Sequence, residues 1–356
     1  MKIEKLSKNP IMNIHFLIPE HHLNFHYNEY NCRIAEGLKA NGHHVNMLSL
    51  SGDFPFLSQE SIHQCKQVTG DIPKSEPIVI DNAIFGVIPD ILKDLHQQNA
   101  IIALTHVTFA SDENLSAYQR EMILDLERRA QKYASKFVAS NLYASNALAN
   151  EGIEKDNITT IIPGVDSFEL KKNYPESPSA LLSVADFVRL NGHVDMVKAL
   201  TALKGKDWQL HCYGNLSLDA EYVSELQALV RRCGLQNKVY FHSSLTGKAL
   251  SDAYLNADLF IHPLNFEAHS NEVIEALTHG IPVVASSGGG NGQIIPAKMG
   301  KLFKPGVVYV LQTIIDELLD NPVLYRNLAT EASNYHKQAH SWKQSISDFE
   351  QVIKSL

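Results

Sequence analysis

The sequence predicts an α/β protein made of two doubly wound, parallel-sheet domains in tandem. Three observations carry that expectation. The chain has 356 residues, and at roughly 100–200 residues per domain that favours two domains of ordinary size. Short apolar runs alternate with stretches of helical period along its whole length, the rhythm of βαβ units. The rhythm also restarts after Pro163-Gly164 and the polar, proline-bearing stretch 171–178.

In the first half, residues 12–19 (MNIHFLIP) are an apolar run ending in proline. After a polar loop, residues 31–41 carry apolar side chains at helical spacing up to Gly42, and residues 44–50 (HVNMLSL) read as the next strand. Residues 78–80 with Asp81, 100–104 with Thr105 and His106, and 136–139 with Ser140 repeat one pattern, an apolar strand whose carboxyl end runs into polar residues. Ligands of open α/β sheets sit beyond those ends, so topology alone directs His106 and Ser140 toward a ligand. The second half repeats the grammar, with strands at 181–184, 209–213, 239–242, 259–262 and 282–285 and helices at 194–203, 220–233, 247–256 and 271–279. Residues 322–356 read as helical and carry Trp342 and Phe349.

Composition narrows the function classes. A 44% hydrophobic and 20% charged chain has ample apolar surface for packed cores and is not a disordered polymer. Its 31 Lys and Arg against 39 Asp and Glu leave a net charge of −8, which argues against broad phosphate neutralisation and so against nucleic acid as a partner. Cys32, Cys65, Cys212 and Cys233 are widely spaced, without a C-x-x-C pair, which predicts neither a zinc site nor a disulfide framework and fits a reducing cytoplasm. Residues 1–10 lack an apolar h-region and no run approaches the ~18 apolar residues of a membrane span, so neither a secretory leader nor an integral membrane segment is expected.

The densest chemical signal is residues 261–292, IHPLNFEAHSNEVIEALTHGIPVVASSGGGNG. Ser270 or Asn271 can cap a helix running to His279, which Gly280 ends and Pro282 keeps from continuing. The N-terminus of that helix opens at a strand end, where free amides and the helix dipole suit an anion such as phosphate. Glu267 precedes the helix and Glu275 lies one turn inside it, so both carboxylates are expected to face one pocket. The Gly288–Gly292 loop is expected to let backbone approach the same ligand closely. It lacks G-x-G-x-x-G opening a helix after a first strand, which disfavours a dinucleotide enzyme.

At this segment the sequence resembles the retaining glycosyltransferases of the GT-B fold, family 4, whose hallmark is Glu-x7-Glu between a strand and a helix. Glu267 and Glu275 reproduce that spacing, and Gly280-Ile281-Pro282-Val283-Val284 its continuation. Asn41-Gly42-His43-His44-Val45, Ile162-Pro163-Gly164-Val165-Asp166, Asn191-Gly192-His193 and Ala257-Asp258-Leu259-Phe260 agree in order along most of the chain. The resemblance implies two Rossmann-like domains facing across a cleft. Residues 1–168 form the acceptor side, residues 178–338 bind the nucleotide sugar, and residues 339–356 are a helix returning to the first domain. It implies transfer of a sugar from a nucleotide-diphosphate sugar to a glycan or lipid-linked acceptor, with retention of configuration. No metal and no cofactor are implied beyond the donor. Polysaccharide or lipopolysaccharide assembly is the setting, in the cytoplasm or at the inner membrane face, with a membrane surface as a further partner.

By the same resemblance, Glu275 binds ribose hydroxyls, Glu267 lies near the donor sugar, and His106 contacts the sugar near the reacting centre. Ser270 and Asn271 at the helix start and Gly214 in Tyr213-Gly214-Asn215 line the donor. The family's diphosphate clamp, an Arg shortly after the first strand of the second domain and a Lys before a Gly, falls here on Asp186 and Asn191. Arg189 or His193 is expected to supply the missing charge. Residues 20–31 (EHHLNFHYNEYN) replace the family's Gly-Gly loop with a glycine-free one, whose side chains obstruct close backbone approach. His21, His22 and His26 in it lack companions at metal-ligand spacing. A second reading, motivated by Asp186 and Asn191, is a GT-B protein that has lost transfer and serves as a binding or partner subunit. A third is a nucleotide-sugar epimerase of the same fold.

Overall fold

The computed structural model describes residues 10–20, 25–108, 115–166, 169–335, 337 and 339–356. The chain divides into two compact units, residues 1–164 with 340–356, and residues 165–339. Each unit carries one six-stranded sheet whose strands pair in parallel among the described residues.

In unit 1 the strands are β1 (Asn13–Pro19), β2 (His44–Leu50), β3 (Ile78–Asp81), β4 (Ile101–Thr105), β5 (Lys136–Ala139) and β6 (Ile158–Thr160), in the order β2-β1-β3-β4-β5-β6. The period of two along β1 sends Ile14, Phe16 and Ile18 into one layer, against Ile34 and Leu38 of the helix Phe25–Ala40 and Phe349, Val352 and Ile353 of the helix Trp342–Lys354. Leu17 faces the other layer, with Ile80, Ile84 and Leu92. Each fully buried side chain of this kind contributes about 1.5–3 kcal/mol of transfer free energy. The reading of residues 20–31 as a loop is corrected: the helix begins at Phe25, because Tyr30, Ile34 and Leu38 form one buried stripe at i, i+4, i+8. His21 and His22 lie outside the described residues.

Unit 2 contains β7 (Ala180–Val184), β8 (Gln209–Tyr213), β9 (Val239–His242), β10 (Leu259–His262), β11 (Val283–Ser286) and β12 (Gly300–Phe303), in the order β12-β11-β10-β7-β8-β9. Leu181, Leu210, Leu259 and Ile261 pack on one face against Leu200, Leu226 and Ile315. Leu182, Phe260 and Val283 pack on the other against Tyr254 and Leu277. At the amino end of the sheet, buried Asp258 accepts from the Lys171 ammonium (2.9 Å) and from the backbone amides of Ser179 (3.0 Å) and Ala180 (2.9 Å), which pins the segment entering β7. The winding reverses between β7 and β10, so the loops leaving those two strands flank the switch point where such sheets bind ligands. Residues 322–356 form two helices, Pro322–Tyr335 in unit 2 and Trp342–Lys354 in unit 1. No helix among the described residues is long and apolar enough to cross a membrane.

Candidate donor site at the carboxyl edge of unit 2

Four glycines let the loops at this edge touch backbone to backbone. A Cβ on Gly192 (φ +70°) would stand 2.0 Å from the Pro263 carbonyl oxygen, and one on Gly214 would stand 2.1 Å from that of Ala185. A Cβ on Gly288 would stand 1.9 Å from the Asn265 carbonyl oxygen, and one on Gly289 (φ +71°) 2.1 Å from that of Glu267. The expectation that the 288–292 loop opens its backbone to a ligand is therefore corrected at Gly288 and Gly289, whose close approach is to the loop after β10. Gly214 owes its lack of a side chain to the turn after β7.

That packing fixes Glu267. Its carbonyl oxygen accepts from the Gly290 amide at 2.8 Å, and its backbone bridges Gly289. Its carboxylate is 11% exposed and engages two neighbours through the same oxygen, Oε2: His262 Nε2 at 2.9 Å and the Ser270 hydroxyl at 2.6 Å. Ser270 occupies the N-cap of the helix Asn271–Thr278, but its side chain caps nothing. The hydroxyl is turned to Glu267 and to Asn291 Oδ1 (2.5 Å), so the capping role expected of Ser270 is corrected. The amides of the first turn are left without a side-chain cap, and Asn271 opens the helix half-buried. His262, Glu267 and Glu272 are a group whose metal-capable atoms lie within 4.8 Å of one another. The His262–Glu267 separation is a hydrogen bond's.

Glu275 is tied to a different neighbour. The Tyr254 hydroxyl reaches both its carboxylate and the Glu272 carbonyl oxygen (3.3 Å), and burial followed by the charges of Glu275 and Glu272 holds Tyr254 well above the usual phenol range. The tyrosine ring is stacked on His279 at 4.9 Å, and His279 is fixed through Nδ1 on the Glu275 carbonyl oxygen (2.7 Å) and Nε2 at the Ser251 hydroxyl (2.9 Å). Neither Tyr254 nor His262 was marked by the sequence motif. Both sit on apolar-patterned elements, where a polar ring reads as core.

The β7 side corrects two expectations. Arg189 supplies no free cation: its guanidinium is bidentate to Glu225 (2.7 and 2.8 Å) and lies 3.7 Å from Asp219, which raises its pKa. His193 is fully buried beside Phe187, and burial, with His262 next, pushes its pKa down to about 4, so it is neutral near pH 7. Asp186 and Asn191 hold the loop instead: Asp186 Oδ1 accepts from the Asn215 amide, and Asn191 Nδ2 donates to the Asp186 carbonyl, each at 2.8 Å.

Residues 166–338 match the Glycosyl transferases group 1 family, a span that coincides with unit 2. Unit 2 is similar over its whole length to that family. The MMP alpha-(1->4)-mannosyltransferase of Mycolicibacterium hassiacum is 23% identical over 236 residues, 64% of this chain and 56% of its own. The chain spans about half the length of the curated relatives it matches. A glycosyltransferase from Rickettsia africae has a TM-score of 0.77 and 16% identity over 98% of this chain and 99% of that one. Anabaena HepE, solved with UDP, has a TM-score of 0.76 and 16% identity over 97% and 100%. At such identities the likeness establishes the fold, which is GT-B.

Unit 1 places His106 at the carboxyl end of β4, 1% exposed. Its Nδ1 meets the Ser140 hydroxyl at 2.8 Å, and its Nε2 lies 3.1 Å from Asn31 Oδ1 and 3.4 Å from Asp81 Oδ2. The Tyr27 ring stacks on it at 4.7 Å. Both ring nitrogens and one face of His106 thus have partners within unit 1. A cavity of about 530 Å³ in unit 1 includes Asn13, His15, His44 and Glu76 in its lining, at the opposite end of the strands, and so is separate from this cluster.

Proposed function

We propose that the chain is a retaining, metal-independent glycosyltransferase that moves a hexose from a nucleotide-diphosphate sugar to a glycan or lipid-linked acceptor. The observation that carries this reading is the pinned Glu267 carboxylate beside the uncapped start of the helix Asn271–Thr278, at the switch point of the family-matched unit. An uncapped helix start supplies amides and a positive dipole end for the departing diphosphate. Glu267 serves the sugar, Glu275 the ribose, and Ser270 and Asn271 line the donor. Two similarities support the donor class: HepE was solved with UDP and with UDP-glucose, and a relative is named a mannosyltransferase. His262 and Glu267 act as a hydrogen-bonded pair, so transfer proceeds with a chelator present.

The test is nucleotide release from UDP-glucose and GDP-mannose, with and without EDTA, beside calorimetry with UDP and GDP. Turnover that survives EDTA supports the reading. Tight nucleotide binding without turnover supports a binding subunit instead, a reading favoured by Arg189 being held by Glu225 and Asp219.

The same loop yields a prediction for Asp186→Arg/Asn191→Lys. Replacing an anion and a neutral group by two cations beside a diphosphate contributes about 1–4 kcal/mol at 4 Å between bulk-water and near-surface dielectrics. Losing the Asn215 and Asn191 hydrogen bonds costs about 0.5–1.5 kcal/mol each in stability. The double variant is expected to bind UDP or GDP about ten-fold more tightly and to unfold at lower urea. Unchanged affinity in calorimetry would place the diphosphate away from this loop.

A further inference from the structure

We propose that His262 is a positioning residue for Glu267, which it orients so that Oε1 is the oxygen offered to the sugar. The inference rests on the reading of Glu267 as the sugar-side carboxylate. It starts from an asymmetry: both side-chain hydrogen bonds to Glu267 end on Oε2, one from the strand end through His262 and one from the helix start through Ser270. The His262 ring nitrogen and the Ser270 hydroxyl, whose single proton is shared with Asn291 Oδ1, converge on one oxygen, and the residue's own carbonyl is held by Gly290. Among the described residues Oε1 has no hydrogen-bond partner.

The proton inventory assigns the imidazole. A carboxylate oxygen only accepts, so the proton between the two groups sits on His262 Nε2. His262 Nδ1 is buried and has no hydrogen-bond partner among the described residues, so a proton there would have no acceptor. The ring therefore holds the Nε2–H tautomer. Its orientation comes from β10 and from Phe260, stacked on it at 5.7 Å. His193, buried beside it with neither ring nitrogen in a hydrogen bond, is neutral near pH 7 and does not compete as a cation for Glu267. The ordering of a long carboxylate side chain is thus met on folding and not during the reaction.

The experiment compares wild type, His262→Leu and His262→Gln, whose amide nitrogen replaces Nε2, in release of nucleotide from the better of UDP-glucose and GDP-mannose. His262→Leu is expected to lower kcat about 10–100-fold with KM for the donor changed by no more than about two-fold, and His262→Gln to recover most of the loss. In the wild type, ¹⁵N NMR of the histidine rings is expected to show His262 protonated at Nε2 and bare at Nδ1. A kcat unchanged in His262→Leu, a loss that appears in KM alone, or an Nδ1–H tautomer overturns the positioning role while leaving the glycosyltransferase reading in place. If the wild type neither binds UDP or GDP nor releases nucleotide from either sugar, that reading fails and the proposal falls with it. If His262→Leu does not fold, the His262→Gln kinetics and the wild-type tautomer decide.

Discussion

Glu267→Gln is expected to lower donor turnover by about 100-fold or more while leaving nucleotide affinity within about two-fold. Glu275→Gln is expected to do the reverse, weakening nucleotide binding by about 1–3 kcal/mol, or about 10–100-fold in Kd. The contrast follows from where charge develops. As the sugar–phosphate bond breaks, positive charge grows on the sugar ring, and a fixed carboxylate in a poorly hydrated site stabilises it without reorganising. The same carboxylate gives nothing to a bound diphosphate, whose charge it shares, so its removal leaves ground-state nucleotide binding intact. On the proposed reading, Glu275 accepts from neutral hydroxyls of the ribose, whose bonds are the same in ground and transition states. Calorimetry with UDP and GDP, beside turnover of UDP-glucose and GDP-mannose, separates the two. Parallel losses of affinity and turnover in both variants would reduce the pair to one structural role.

The strands that cross the middle of each sheet were legible because burial on both faces makes a continuous apolar run, as in IVID of β3 and LFIH of β10. β6 (ITT) and β12 (GKLF) escaped for the complementary reason. Each is a short edge strand, so it needs one partner and shows no apolar run. The start of the helix Phe25–Ala40 was lost among Asn28, Glu29 and Asn31, polar residues that surround the stripe anchored by Tyr30. In the candidate site, the spacing of Glu267 and Glu275 was visible, but what holds them was not. His262 and Tyr254 come from a strand end and from a helix that precedes the motif, and no spacing within the motif encodes them. Charge was misjudged most. Arg189 reads as a cation near a phosphate until Glu225, 36 positions further on, closes on it.

His193 carries the second large effect, and it falls on stability. Its folded pKa of about 4 lies below the ordinary 6.5 because the ring is buried and has His262 for a neighbour. Above pH 6.5 the ring is neutral in both states and contributes no pH dependence. Between 6.5 and about 4 the unfolded chain takes up a proton that the folded chain refuses, so stability falls as pH falls. Below that window the folded ring is protonated too and the loss levels off. A drop from 6.5 to about 4, at about 1.4 kcal/mol for each step of one in pH, makes the loss about 3 kcal/mol, a large part of the ~5–15 kcal/mol by which domains are stable. Carboxylates titrate in the same range, so the quantity to measure is a difference between variants. His193→Phe puts an aromatic ring beside Phe187 without a proton site. Trp342→Phe in both backgrounds leaves Trp208, buried in unit 2, as the fluorescent reporter of that unit. Urea unfolding at pH 7 and pH 4.5 is expected to show His193 proteins losing about 2–3 kcal/mol more than His193→Phe proteins over the interval. Equal losses in the two would mean that the imidazole takes its proton inside the folded unit, and the neutral ring behind His262 would have to be abandoned.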